Sequence, residues 1–259
     1  MLDAVPTWAI MLAAAIAIFA ASEIGFRLGL GKEAGASSTD PSWVVEASAF
    51  TLLALLTGFS FSMALGRYDA RRGALLREAT AIGTTFMRAA LLDEKTAQAL
   101  RADLREYVAQ RLAFARADAA PDERAMADRN STAIQGDMWK LTTQAARRDP
   151  RSTIVPLVVA ALNDTINLSH EERVVLTTHI PDVVFVWLLL IGLIAAVMMG
   201  YGYGRQDKRA LVFRAVFAAM VAMVLGLVLD LDRPQRGIIR VSLEPMQTVQ
   251  QSMESGLWR

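Results

Sequence analysis

The sequence predicts an all-α membrane protein with four transmembrane helices and a helical cytosolic insert between the second and the third. Three observations lead to this prediction. The chain of 259 residues is 54% hydrophobic and still 20% charged, a mixture typical of lipid-facing spans joined to a water-facing part. Four apolar runs are each long enough to cross a bilayer, which takes roughly 20 residues. No apolar–polar alternation and no Asn-Gly or Asp-Gly hairpin signal indicates strands.

The four predicted spans form two hairpins, and they lie at about 8–26, 43–65, 183–203 and 210–229. A buried core helix is the alternative for any single run. Four runs in two pairs, with aromatic residues at several ends, favour a membrane protein. The predicted parts are a transmembrane hairpin at 1–66, a helical cytosolic domain at 67–180, a second hairpin at 181–231 and a cytosolic tail at 232–259.

The insert is expected to be helical throughout. No proline occurs between Phe59 and Phe86, so its first helix is predicted to continue directly from the second span. Later breaks are expected at 91–94, 117–123 and 147–156. Apolar residues at helical spacing between these breaks indicate amphipathic helices that share a core.

The even number of spans places both termini and the insert on one side of the membrane. Near the span ends, eight basic residues lie on that side and six on the other. This excess favours a cytoplasmic insert, although the short basic loop at 205–209 argues the other way.

Composition and motifs exclude several classes of function. The net charge of +1 gives no field for nucleic acid. The absence of cysteine excludes disulfides and cysteine-based zinc sites. The two histidines form no HExxH motif, and no nucleophile elbow, P-loop or dinucleotide fingerprint occurs. We therefore expect no enzyme, no cofactor and no metal site.

The second predicted span carries the candidate pore. Thr51, Leu55, Phe59 and Ser62 share one face of a helix, because residues three or four apart lie on the same side. A ring of Phe59 side chains from several subunits would make an apolar constriction able to gate by dewetting. The alternative is that Leu55 and Phe59 pack on lipid or on a neighbouring helix.

Charged residues near the span ends are the next candidates. Glu23 and Glu46 lie near the same membrane face, where Glu46 is a candidate charge at the pore mouth and Glu23 fits an ordinary interfacial position. Arg67, Arg71 and Arg72 follow the second span and would attract anions if they faced a pore. The GYG at 201–203 ends a full span instead of following a re-entrant helix, so we do not interpret it as a potassium filter.

A charged motif ends the last predicted span, "DLDRPQRG" at 230–237. Asp230 and Asp232 are acceptors beside Arg233, while Pro234 stops the helix and Gly237 suits a turn. The simplest interpretation is a charge-paired stop at the membrane surface. In the insert, polar residues near apolar faces could form buried pairs, but solvated faces are the more common outcome; these residues are Glu78, Arg88, Arg111, Asn163 and Arg173.

Several stretches resemble a known family. They are "GFSFSMALGRYDARRGALLREATAIGTTFMRAALL" (58–92), "LREYVAQRLAF" (104–114), "LVVAALNDTINLSHEER" (157–173), "HIPDVV" (179–184) and "LDLDRPQRGIIRVSLEPM" (229–246). They resemble the bacterial bestrophin-like family, catalogued as a domain of unknown function and remotely related to bestrophin channels.

The resemblance implies a homo-oligomer, expected to be a pentamer, in the bacterial inner membrane, with termini and insert in the cytoplasm. It also implies a narrow hydrophobic neck, lined by the second span around Thr51, Leu55 and Phe59. The chain departs from bestrophins in its less aromatic neck. It also lacks a recognisable acidic calcium-binding cluster, so no calcium site is expected.

The sequence therefore predicts a bestrophin-like homo-oligomeric ion channel. Its expected partners are other copies of itself, membrane lipid and a permeant inorganic ion. Both anion and cation selectivity remain open. The alternative is a non-conducting membrane scaffold or sensor whose insert binds a partner protein. A small-solute transporter is a third hypothesis and would need discontinuous spans.

Overall fold

The computed structural model describes residues 6–31, 42–116, 120–206, 209–233, 239–256 and 258. The described residues are helical apart from short connections, as the sequence predicts, and they contain no strand. Eight helices follow along the chain: α1 Thr7–Gly29, α2 Ser42–Ala89, α3 Glu94–Ala115, α4 Pro121–Arg148, α5 Val155–Thr177, α6 Asp182–Arg205, α7 Leu211–Asp232 and α8 Glu244–Glu254.

Four helical segments are long and apolar enough to cross a membrane: Thr7–Gly29, Val44–Ala89, Val155–Arg205, which includes α6, and Leu211–Asp232. The second predicted span does continue without a break into the first helix of the insert, giving an α2 of 48 residues. α7 extends to Asp232, so both aspartates of the charged motif lie in its last turn. Pro234 and Gly237 lie outside the described residues.

The chain divides into two compact units. The first comprises residues 1–67 and 179–239, and the second comprises residues 68–178 and 240–259. The first unit therefore contains α1, α6, α7 and the start of α2. The second contains the rest of α2 with α3, α4, α5 and α8.

In the first unit, small residues let α1 and α6 approach closely. A Cβ atom at Gly25 would overlap the carbonyl oxygen of Val197, and one at Gly200 would overlap the carbonyl oxygen of Ser22. Ile18 is fully buried beside this contact. Such contacts are expected in lipid, where van der Waals packing replaces the hydrophobic drive between helices.

The second unit has a larger apolar core. Its fully buried members include Ile82 on α2, Leu100 and Leu104 on α3, and Leu162 on α5. α8 covers this core with Met246, Val249 and Met253. The predicted break at 91–94 is the α2–α3 turn, where the Asp93 side chain accepts a hydrogen bond of 3.0 Å from the Thr96 amide and caps α3.

Candidate functional site

α2 has one packed side and one exposed side in its membrane half. Leu53, Ser60 and Ala64 are buried. At about 100° per residue, these three positions lie on one face of the helix. Phe50 belongs to the same side and meets Phe217 of α7 edge to face, with ring centroids 5.3 Å apart. This side holds α2 against its own unit.

The four predicted neck residues all lie on the exposed side. Leu55 is 52% exposed and Phe59 is 59% exposed. Thr51 and Ser62 are exposed as well. Their mean direction is roughly 165° from that of the buried face, so they point away from their own subunit. Packing within one subunit therefore does not account for this face, while the choice between a pore axis and lipid stays a prediction.

Glu46 lies on the packed side. It is half-buried, and its Oε2 atom would lie 3.4 Å from a Cβ atom at Gly202 of α6. This placement separates Glu46 from the neck face, because Glu46 lies one helical turn before Phe50 and shares the packed side with it. The candidate charge at the pore mouth thus faces its own subunit.

The glycines of the GYG region have separate packing roles in α6. Gly200 and Gly204 face α1, since a Cβ atom at either would overlap α1 backbone. Gly202 instead faces Glu46. The segment is continuous helix to Arg205, in agreement with the rejection of a filter.

The three arginines after the second span do not share a face. Arg71 is buried, and its guanidinium donates hydrogen bonds to the carbonyl oxygens of Val175 and Thr178, at 3.4 and 3.1 Å. Those carbonyls end α5, where a cation is favourable. Arg71 therefore has a structural position, in contrast to the exposed vestibule charge considered from the sequence. Arg72 is exposed.

Arg67 belongs to a cluster around the buried carboxylate of Asp232. Its Nε atom lies 3.9 Å from Asp232 Oδ1. Both carboxylate oxygens accept from the amide of Ile180, at 2.9 and 3.1 Å. His179 lies 3.8 Å from Asp232 Oδ2 through its Nδ1 atom. The carboxylate at the end of α7 thus contacts both α2 and the segment that precedes α6.

The remaining described members of the motif are also paired. Asp230 accepts a hydrogen bond of 2.9 Å from the amide of Ile239. Arg233 donates to Asp182 at 3.1 Å. The interpretation of a charge-paired helix end fits this geometry. What the sequence did not reveal is the burial of Asp232, whose side chain is 0% exposed.

Glu23 has a partner that the sequence reasoning missed. Arg214 of α7 is fully buried and donates to Glu23 Oε2 at 2.8 Å and to Ser22 Oγ at 3.1 Å. Its guanidinium also lies over the Phe19 and Phe26 rings. A buried arginine in a span requires such a partner. The signal available in the sequence was an arginine and a glutamate at the same predicted membrane face.

The second unit contains a buried polar network. Arg111 donates to both oxygens of Glu78, at 2.8 and 3.1 Å, and pairs with Glu172. Tyr107 donates to Glu78 Oε1 at 2.8 Å. Burial raises the pKa of Tyr107, and the Glu78 carboxylate adds to the effect, so its hydroxyl stays a donor at neutral pH. Gln135 donates to the Tyr107 hydroxyl at 3.1 Å and extends the network to α4.

The described part of the chain holds no group of three or more histidine or acidic side chains arranged to bind an ion.

A family model described as the Bestrophin-like domain matches residues 38–246. The chain belongs to the bestrophin-like family. The bestrophin-like family match covers all of α2 to α7 and the start of α8.

Solved structures agree with the family. A bacterial bestrophin homologue from Klebsiella pneumoniae with a tryptophan-to-alanine mutation has a TM-score of 0.71 at 12% identity, covering 96% of this chain and 97% of that one. The Zn-SAD structure of the Klebsiella pneumoniae homologue has a TM-score of 0.69 at 13% identity, covering 95% and 96%. At such identity these structures show the bestrophin-like fold alone. No curated protein matches the chain in sequence. The chain is therefore a bestrophin-like membrane protein, an architecture of the channel type.

Proposed function

We propose that this protein is a homo-oligomeric ion channel whose hydrophobic neck is lined by α2. One observation carries the proposal. In the most apolar window of each spanning segment, 17% of α2 is buried, against 33% in each of the other three. The chain thus leaves α2 the least covered of its spans, with the Leu55 and Phe59 side chains turned outward.

The chemistry of the exposed side fits a neck. Leu55 and Phe59 are apolar and one helical turn apart, so a ring of each would form a short hydrophobic constriction. Thr51 and Ser62 place hydroxyl groups at its two ends, where ions regain polar contacts. Conduction through such a path uses no cofactor and no enzymatic chemistry.

The family supports the finer parts of the proposal. We place the protein in the bacterial inner membrane as a pentamer, with the second unit and both termini in the cytoplasm. Membrane lipid, further copies of the chain and the permeant ion are its partners. The excess of basic residues near the span ends on the insert side is consistent with this orientation.

Ion flux tests the proposal directly. Purified oligomers in liposomes should pass ions faster than empty vesicles, and Phe59→Ala should raise the flux about tenfold, the effect of lowering a barrier by ~1.4 kcal/mol. Phe213→Ala is the matched control, because Phe213 is an apolar side chain, 68% exposed, in another span.

Two results would contradict the proposal. If native oligomers give no flux above background, the protein is not a channel. If the protein is a monomer in detergent, it cannot form a pore along a symmetry axis. Equal flux in the Phe59 and Phe213 variants would show that the protein conducts but that Phe59 does not line its constriction.

A further inference from the structure

In a pore lined by α2, charge selectivity would depend on which charged side chains follow the neck on the same side of the helix. The helix runs without interruption from Ser42 to Ala89, so its period of 100° per residue relates positions above and below the neck. We measure the direction of each later side chain as its angle about the helix axis from the mean direction of the four neck residues. This angle, called the offset below, follows from the residue number alone.

By this measure the arginines after the second span do not point in the same direction as the neck residues. Arg67 is offset by roughly 125° and Arg71 by roughly 165°, which is the packed side. Their contacts agree, because Arg67 approaches Asp232 while Arg71 donates to carbonyls at the end of α5. Arg72 is exposed but offset by roughly 95°.

Asp69 lies on the line of the neck, offset by roughly 35° and about 15 Å beyond Phe59 along the helix axis. Its side chain is exposed. Within the part of the chain that the structure describes, no hydrogen bond or ion pair involves its carboxylate. No described residue of its own subunit therefore pairs with its negative charge.

The next charge on this side is Arg77, offset by roughly 45° and two turns further on. Arg77 pairs with Glu171, and both side chains are about half exposed. The pair contributes little net charge to the face. On the neck side of α2, Asp69 is thus the first charge after the neck, and no described residue pairs with it.

We propose that Asp69 sets the charge selectivity of the pore, and that the permeant ions are inorganic cations. The inference rests on the proposed function, since it requires α2 to line a path. A ring of carboxylates, one from each subunit, concentrates cations at the inner end of the neck and repels anions. Arg67 and Arg71, which would otherwise favour anions, are held by their own subunit instead, and Arg72 is exposed but offset by roughly 95° from the neck residues.

Asp69→Cys gives a test within one folded protein, because the native chain has no cysteine. The full-length variant is reconstituted in liposomes, and the potassium-to-chloride permeability ratio is measured before and after thiol modification. The ratio should fall about tenfold on removal of the carboxylate. A negatively charged methanethiosulfonate reagent should restore it, and a positively charged one should lower it further. Asp69→Glu should keep the native ratio.

The matched control is Asp149→Cys, treated with the same reagents. Asp149 is an exposed carboxylate in the α4–α5 connection, away from α2. Its modification should leave the permeability ratio unchanged.

The outcomes separate this inference from the proposed function. Flux with the same ratio in both cysteine variants, before and after modification, would overturn the role of Asp69 and leave the channel intact. A native ratio that favours chloride would do the same. No flux from native oligomers would overturn the channel, and the inference with it.

Discussion

The two units of this protein hold buried charge and helix contacts in different ways. In the first unit, α1 and α6 touch through glycine and backbone, and the one fully buried arginine among its described residues, Arg214, pairs with Glu23. In the second unit, large apolar side chains form the core, and Arg111 sits between Glu78 and Glu172.

The proposed topology, with the first unit in lipid and the second in water, accounts for this difference. Lipid tails are as apolar as leucine, so helices in a bilayer gain by close approach of small residues. In water, burial of large apolar side chains is itself favourable, at roughly 25 cal/mol per Å². The second unit can therefore enclose a polar network inside a well-packed core, provided that every charge in it has a partner.

The buried network should give the largest single effect. Arg111→Met leaves Glu78 and Glu172 buried without their cation, and we expect a loss of about 3–5 kcal/mol in the free energy of unfolding of the second unit. Denaturant unfolding of the full chain in detergent, followed by tryptophan fluorescence, measures it.

Arg77→Met is the matched control for this network. It breaks the Arg77–Glu171 pair, whose side chains are 52% and 46% exposed, and should cost less than about 1 kcal/mol. Equal losses in the two variants would show that burial does not distinguish the pairs. Replacing Glu78 and Glu172 by methionine together with Arg111 should recover part of the lost stability, because no unpaired charge remains.

Replacing glycine by alanine should lower the free energy of unfolding at one position in the first unit and raise it at one position in the second. Gly200→Ala places a methyl group against the carbonyl oxygen of Ser22, and we expect a loss of about 1–3 kcal/mol from overpacking. Gly136→Ala lies on an open side of α4, with nothing within 4 Å of the new methyl group, and should gain about 0.5–1 kcal/mol.

Thermal unfolding of both glycine variants in the same detergent checks this contrast. A stabilised Gly200→Ala would show that α1 and α6 are further apart than the structure places them. A destabilised Gly136→Ala would indicate a contact on α4 made by another copy of the chain.

The smallest effect should come from the cap of α3. The hydrogen bond from the Thr96 amide lowers the pKa of Asp93. Because the folded pKa is lowered, the charged cap stabilises the second unit at neutral pH, and its contribution is lost as the pH falls through the lowered folded pKa. Asp93→Ala should therefore lower the melting temperature at pH 7 by more than at pH 3.

Asp93→Asn sharpens this prediction. Asparagine can cap a helix without a charge, so its melting temperature should lie between those of the native chain and Asp93→Ala at pH 7. A difference between the native chain and Asp93→Ala that grows at pH 3 would contradict the assignment of the cap.

Much of the fold follows from the sequence. Apolar run length predicts the four spans, and the absence of proline between Phe59 and Phe86 predicts the uninterrupted α2. The neck face was predicted from helical spacing, and the structure leaves that face exposed without deciding what covers it. The positions of the charged residues around the neck face were harder to predict from the sequence. Glu46 and Arg71 were candidates for the pore, but they lie on the packed side of α2.

Hydropathy and helical period are local properties, so the sequence by itself determined the helices, the spans and which residues share a face. Partners across the chain are not local. Glu23 and Arg214 are 191 positions apart, and Arg71 and Thr178 are 107 apart. Only the tertiary structure decided which side of α2 meets its own subunit, because that side is set by packing between helices that the local pattern does not relate. This choice leaves Asp69, and not the neighbouring arginines, on the same side as the neck.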